Sequence, residues 1–267
     1  MITEEALYWS QWQQLTSAQQ RGLFEQMLRY FVHPLWQVGT IAPLKNHQGL
    51  QTWQVALNGR QFYFEPGQLA NEQQVAVAPF LISANAIPAN HYFLGTIDPV
   101  SGQPITNQFA LKHYQQEIAD FLQRPTHTLN PFAQSTEWAS EHLTFVDQDQ
   151  VIAVYQRQFW AQSDLQQQLR REGGNLPTAN QWQAAAFANQ TSVAWQIDDK
   201  SGDSLLGLGL RFNSTMAAEL LTDPALIQPN PFHRGPDKVG LAPVAAELPV
   251  VLTADYYYRT VLNVQLD

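Results

Sequence analysis

The chain has 267 residues, of which 14% are charged and none is cysteine, and its formal net charge is −9. The missing cysteines exclude a disulfide framework, a thiolate metal site and a cysteine nucleophile, and the acidic balance argues against nucleic acid and anionic membrane as partners. Globular proteins average about 25% charged residues; here 34 glutamines, spread along the whole chain, take over much of that surface role.

The start, Met1-Ile2-Thr3-Glu4-Glu5, is acidic where a signal peptide is basic. No run approaches the roughly 18 consecutive apolar residues of a membrane helix. The expectation is a cytoplasmic, non-membrane protein.

In chain order, Thr3 is placed to cap a helix carrying Leu7, Trp9, Trp12 and Leu15, and Ser17 to Gln20 reads as a capping box. Leu23, Phe24, Met27, Leu28 and Phe31 then form an amphipathic stripe, which His33-Pro34 ends. Residues 1–45 are read as an N-terminal helical appendage and 46–267 as the main domain. Val55 to Phe64 predicts a β-hairpin, because Asn58-Gly59 supplies the positive-φ pair of a type I′ turn. Val75 to Ile82 is an apolar run, and Gly95 to Thr106 a Pro- and Gly-containing loop.

Helices are predicted over Phe109–Leu122, Gln150–Leu169 and Ala179–Ala188, with Asp147 and Asp149 as caps of the second. Beyond Gln190 the expectation is strand and loop: a hairpin of Thr191–Ile197 with Leu205–Phe212, then Leu248–Leu252 and Tyr256–Leu266. In that last strand, alternation places Tyr257 inward and its neighbours outward. This order of elements predicts an α+β fold. Asp198 to Asp203 offers clustered oxygens of the kind calcium takes, but without the closing Glu of a twelve-residue loop it reads as a solvated hairpin turn. No Gly-x-Ser-x-Gly, P-loop or dinucleotide fingerprint occurs.

The segment Asn175-Leu176-Pro177-Thr178-Ala179-Asn180-Gln181-Trp182-Gln183-Ala184-Ala185-Ala186-Phe187 resembles a signature of the formylglycine-generating enzyme, or sulfatase-modifying factor, superfamily, with Leu-Pro-Thr, the Trp and Ala-Ala in register. Val77–Ile82 and Ala86–Tyr92 sit where that family has a strand and a following Tyr, and Phe145–Trp160 where it has a short strand and a helix, with Ala153 and Tyr155 kept. Val193–Gln196 and Leu206–Gly209 are similar to its Trp-Glu and Gly-Gly segments. The resemblance spans roughly residues 50 to 267 and implies a C-type-lectin-like α+β fold rich in irregular loops. Read from the residues alone, the Leu-Pro-Thr helix is a packing motif. Pro177 fixes φ, Thr178 caps, and Trp182 with Ala185 and Ala186 shares one face.

The family's cysteine-based chemistry is unavailable to a chain without cysteine. Its iron-binding sulfoxide synthases use histidines in part from an N-terminal bundle, and 45 residues are too few to make one. The seven histidines show no pair at i,i+2 or i,i+4. Where the family has carboxylates, Ala179, Gln181, Gln183 and Gln196 stand here, which implies that some of the family's buried ion pairs have become neutral hydrogen-bond networks.

Three functional readings follow. The first is a non-catalytic module that binds a small molecule, glycan or protein through Trp195, His233, Tyr256, Tyr258 and Arg259. The second is a metal- and oxygen-dependent oxidoreductase whose ligands are His91, His142, His233 and Asp255. The third is a structural or assembly protein, as a homodimer. No cofactor is favoured; iron belongs to the second reading and calcium to the Asp198–Asp203 turn.

Overall fold

The computed structural model describes residues 4–45, 49–70, 75–124, 137–148, 150–188, 196–197, 204–212, 216–234 and 241–264. They form two compact units. The larger comprises Met1–Ala89 and Trp160–Asp267, and the smaller is Asn90–Phe159, inserted between them in sequence. The class is α+β, with several small sheets and few, short helices. Among the described residues no helix is long and apolar enough to cross a membrane.

The larger unit is organised by a five-stranded sheet in the order Val38–Lys45, Gln51–Leu57, Arg60–Glu65, Phe80–Ser83, Val261–Asn263, antiparallel throughout. Its central hairpin turns as predicted, with Asn58 at φ 51° and Gly59 at φ 85°. Alternation along Arg60–Glu65 sends Phe62 and Phe64 to one face. There Trp12 meets Phe64 edge-on with ring centroids 4.8 Å apart, and Trp36 meets Phe62 at 5.5 Å. The N-terminal helices Trp9–Trp12 and Ser17–Phe31 thus bury their apolar stripe (Trp12, Phe24, Met27, Leu28) in this unit's core.

The capping box of the longer helix lies one residue earlier than the sequence suggests: Thr16 pairs with Gln19, through Gln19 N to Thr16 Oγ1 at 3.3 Å and Thr16 N to Gln19 Oε1 at 2.9 Å. Gln20 instead turns inward and donates to the Trp12 carbonyl at 2.8 Å. The expected cap at Thr3 lies outside the described residues.

Tyr63 and Glu65 point to the opposite face, where a Cβ at Gly209 would stand 3.6 Å from the Tyr63 ring. The Leu-Pro-Thr helix, Ala179–Phe187, starts as read: Gln181 N donates to Thr178 Oγ1 and Thr178 N to Gln181 Oε1, a closed capping box. Trp182, Ala185 and Ala186 are all fully buried. The tight approach of Ala185 explains Gly207, whose Cβ would lie 1.9 Å from the Ala185 carbonyl oxygen at a φ of 60°. That glycine splits the expected strand Leu205–Phe212 into a hairpin of Ser204–Leu206 and Leu210–Phe212, and Gln196–Ile197 pairs beside it. A second five-stranded sheet runs Val244–Ala245, Leu226–Pro229, Ala218–Leu220, Tyr256–Tyr258, Ile87–Pro88, with a parallel pair between Ala218–Leu220 and Tyr256–Tyr258. Leu248–Leu252 forms no strand, and a four-residue helix, Pro231–Arg234, interrupts the C-terminal third.

The smaller unit is a four-stranded antiparallel sheet, His91–Ile97, Ile152–Arg157, Leu143–Asp147, Glu137–Ala139, packed on the helices Gln108–Leu111 and Gln115–Gln123. The helix expected over Phe109–Leu122 is therefore two, joined by a 3-10 turn at Lys112–Tyr114.

The helix expected over Gln150–Leu169 is a strand, Ile152–Arg157, followed after a break by the helix Gln162–Arg171. Ile152 and Val154 are β-branched, face the core two residues apart, and pair on both sides, which overrides a weak helical period. Asp147 consequently ends a strand and caps no helix, and Asp149 lies outside the described residues. Ala153 and Tyr155, likened above to positions on a family helix, are strand residues.

Candidate functional site

The residues nominated as a ligand-binding lining do not form one. Trp195 lies outside the described residues. His233 is exposed on the helix Pro231–Arg234, and Tyr256 is half-buried at the start of its strand. Tyr258 is 1% exposed and Arg259 0%, so the expected alternation does not hold: Tyr256 and Tyr257 are both half-buried, and Tyr258 is the fully buried ring.

Arg259 is the hub of a buried network. Its Nε donates to Glu219 Oε1 and Oε2 at 3.0 Å, its Nη1 to the carbonyls of Ser83 and Ala84, and its Nη2 to that of Arg211. Its guanidinium also lies 4.8 Å from the Phe212 ring centroid. Trp182 Nε1 donates to the second Glu219 oxygen at 2.8 Å. With every charge and donor partnered, this is a structural clamp holding the Leu-Pro-Thr helix to two strands. Glu219 supplies its carboxylate from a strand the sequence reading did not connect to Trp182, so at least one buried ion pair is present beside the glutamines.

The nominated metal ligands are likewise engaged elsewhere. His91 is buried, with Nδ1 2.7 Å from Asn90 Oδ1 and Nε2 2.9 Å from Thr144 Oγ1. Burial, with the Arg157 charge adding to it, pushes its pKa down to about 4. His142 is largely exposed, with Nδ1 2.9 Å from Glu117 Oε1. Asp255 is exposed and accepts from Thr253 Oγ1 at 3.0 Å. Among the described residues no three His, Asp or Glu side chains gather as a metal site requires.

Glu65 was not nominated. It is fully buried, accepts from Trp9 Nε1 at 2.8 Å, and burial pushes its pKa up to about 8 against those hydrogen bonds. Among the described residues, its Oε2 and the hydroxyl of Tyr63, two residues before it on the same strand face, have no hydrogen-bond partner.

The arrangement best suited to recognition lies in the smaller unit. Phe121, on the inner side of the helix Gln115–Gln123, stacks on Phe145 with centroids 4.2 Å apart and planes 2° from parallel. Trp138 is the cross-strand partner of Phe145 and tilts against both rings at 5.4 Å. Arg124 follows Phe121 by three residues, the spacing that brings side chains together along a helix. Its guanidinium lies 4.4 Å from the Phe121 centroid and 5.4 Å from that of Trp138.

A pocket of about 170 Å³ opens beside this stack, walled by both phenylalanines, Pro99, Leu122 and Ile152, with Arg124 and Asp147 as its charges. Asp147 follows Phe145 by two residues on one strand and so shares its face. Partial burial lowers the Arg124 pKa, and the Asp147 carboxylate opposes that shift, so the two charges feel one another. Among the described residues no hydrogen-bond acceptor meets the guanidinium.

No protein-family model, curated protein or solved structure matches the chain. The site therefore rests on its own geometry. A larger depression of about 530 Å³ in the larger unit, lined by Glu4, Glu5, Tyr8, Ser10, Gln11 and Leu69, is open and carries acidic side chains with no cation. The sequence reading missed Arg124, Phe121 and Trp138, and took Asp147 for a helix cap. The available signal was the alternation Phe145-x-Asp147, which reads as a strand face only once residues 150–157 are no longer read as helix.

Proposed function

We propose that the chain is a non-catalytic binding module on a divergent sulfatase-modifying-factor scaffold of the C-type-lectin-like type, and that it recognises a small carboxylate-bearing molecule through the Arg124 pocket. The observation that carries the reading is the Arg124 guanidinium. It lies 4.4 Å from the Phe121 ring centroid and 5.4 Å from that of Trp138, while its N–H groups have no acceptor among the described residues. A guanidinium fork fixed in this way matches a carboxylate bidentately, and its ordering cost is already met by the stacking. The Leu-Pro-Thr helix, with its capping box and buried Trp182, supports the scaffold part of the reading, as a stabilising motif and not as a catalytic one.

The test is thermal unfolding of the full chain with millimolar small carboxylates, amino acids and neutral sugars. A ligand that binds only the folded form stabilises it by mass action. Carboxylate-bearing compounds are expected to raise the melting temperature of the wild type and not that of Arg124→Ala. Stabilisation by sugars alone, or equal shifts in both proteins, would contradict the reading.

A further inference from the structure

We infer that Glu117 is a positioning residue of the Arg124 site: by latching its helix to the turn at residues 140–143, it fixes where the Arg124 guanidinium stands beside Phe121 and Trp138. This rests on the preceding reading that Arg124 receives a carboxylate, and it adds what holds that arginine in place.

The helix Gln115–Gln123 meets the hairpin of Glu137–Ala139 and Leu143–Asp147 at two levels. At the first, Glu117 Oε2 accepts from the Ser140 hydroxyl and from the His142 backbone N–H, the latter at 3.2 Å, and Oε1 lies 2.9 Å from His142 Nδ1. At the second, Phe121 stacks on Phe145 and tilts against Trp138. Glu117, Phe121 and Arg124 are spaced i, i+4 and i+7, one stripe of a helix. Four helical residues advance about 6 Å, and the two strand residues from Ser140 back to Trp138 span about 7 Å. The two levels are therefore in step, and Arg124 comes next along the same stripe.

The levels constrain different things. Stacked rings attract over a range of lateral offsets, so the Phe121–Phe145 contact alone leaves the helix free to slide. A carboxylate with three donors on its two oxygens does not, because each bond is directional. Burial alone would raise the Glu117 pKa, but the bonds from Ser140 and His142 outweigh it and hold the group below the usual carboxylate range. An ionised carboxylate only accepts, so a proton sits on His142 Nδ1. The turn is itself braced. Leu143 N donates to Ser140 Oγ at 3.1 Å, and Arg157 on the neighbouring strand donates to the carbonyls of Ser140 and Glu141. A supporting contact anchored in this way sets the geometry of the group that binds.

Charge gives the inference a distinguishing sign. Glu117 is an anion on the helix that leads to Arg124, so by Coulomb's law alone its removal favours an anionic ligand. If Glu117 supplies position, its removal weakens the same ligand. A purely stabilising role lowers the melting temperature and leaves the affinity unchanged or higher.

The experiment is isothermal titration calorimetry of the full chain with 4-methylpentanoate, at a temperature where circular dichroism shows each variant folded. Glu117→Ala is expected to weaken binding about tenfold, a difference of about 1.4 kcal/mol. Glu117→Gln keeps one acceptor oxygen, and His142→Ala removes an exposed ring while leaving the Ser140 bond. Both are expected to fall between Glu117→Ala and the wild type, and they carry the test if Glu117→Ala does not fold. In nitrogen-15 spectra of the ligand-free chain, the Arg124 Nε–Hε resonance, displaced by the nearby rings, is expected to move in the same order.

Equal or tighter binding in the Glu117 variants, or weaker binding with the Arg124 resonance unmoved, would overturn the inference while the carboxylate pocket stands. No binding to the wild type, or binding that persists in Arg124→Ala, would overturn the pocket and the inference with it.

Discussion

Glu65 and His91 are held uncharged by burial, and they act on stability in opposite directions. Glu65 titrates near 4.5 when unfolded and near 8 in the folded chain. Over that interval the folded form keeps a proton that the unfolded form releases, so the contribution of Glu65 is full below pH 4.5 and is lost as pH rises toward 8. His91 moves from 6.5 to about 4 on folding. There the unfolded form gains the proton first, and stability is lost as pH falls from 6.5 toward 4.

Glu65→Gln, which keeps shape and removes the titration, is therefore expected to flatten the fall in melting temperature between pH 6.5 and 8 and to raise the value at pH 8. His91→Gln is expected to flatten the acid limb. Melting curves across pH check both, and an unchanged alkaline limb in Glu65→Gln would contradict the assignment. The sequence offered His91 only as a metal ligand and passed over Glu65, because one Glu in Phe-Tyr-Phe-Glu looks like a strand end until the helix Trp9–Trp12 closes over it through Trp9. Arg259 was misplaced for a related reason. Its partner Glu219 comes from a strand some forty residues away, and the parallel pairing that sets them together leaves no local trace.

At the level of elements, local chemistry was readable where one segment decides its own conformation. Asn58-Gly59 turns, Thr178 and Gln181 cap, and Trp182 with Ala185-Ala186 packs. It failed where tertiary pairing decides, as at Ile152–Arg157, whose apolar residues suit a helix stripe almost as well as a strand buried on one face. The Trp182–Glu219–Arg259 clamp joins three elements, and its removal measures how much they depend on it. Glu219→Ala leaves the Arg259 guanidinium buried without its counter-charge and is expected to cost about 3–5 kcal/mol. Adding Arg259→Met is expected to recover much of that loss, since the stranded charge goes with it. Denaturant unfolding of the single and double variants checks this, and a loss under about 1 kcal/mol for Glu219→Ala would show the pair to be unimportant.

For the molecule as a whole, the α+β class follows from the order of elements, while the division into two units does not. The segment Asn90–Phe159 differs little in composition from its surroundings, and it separates as a unit because its own four strands and two helices enclose a core of Leu94, Ile97, Phe121, Phe145 and Val154. That division moves the functional question away from the C-terminal tyrosines, whose neighbourhood is a stabilising network, to an aromatic pocket whose guanidinium meets no acceptor among the described residues.

The most direct test is a nitrogen-15 NMR spectrum of the arginine side-chain Nε–Hε groups of the full chain, titrated with millimolar small carboxylates such as acetate and 4-methylpentanoate. The account predicts that one resonance, absent from the spectrum of Arg124→Lys, shifts saturably while that of buried Arg259 stays in place. A spectrum in which the Arg124 resonance does not move would contradict it.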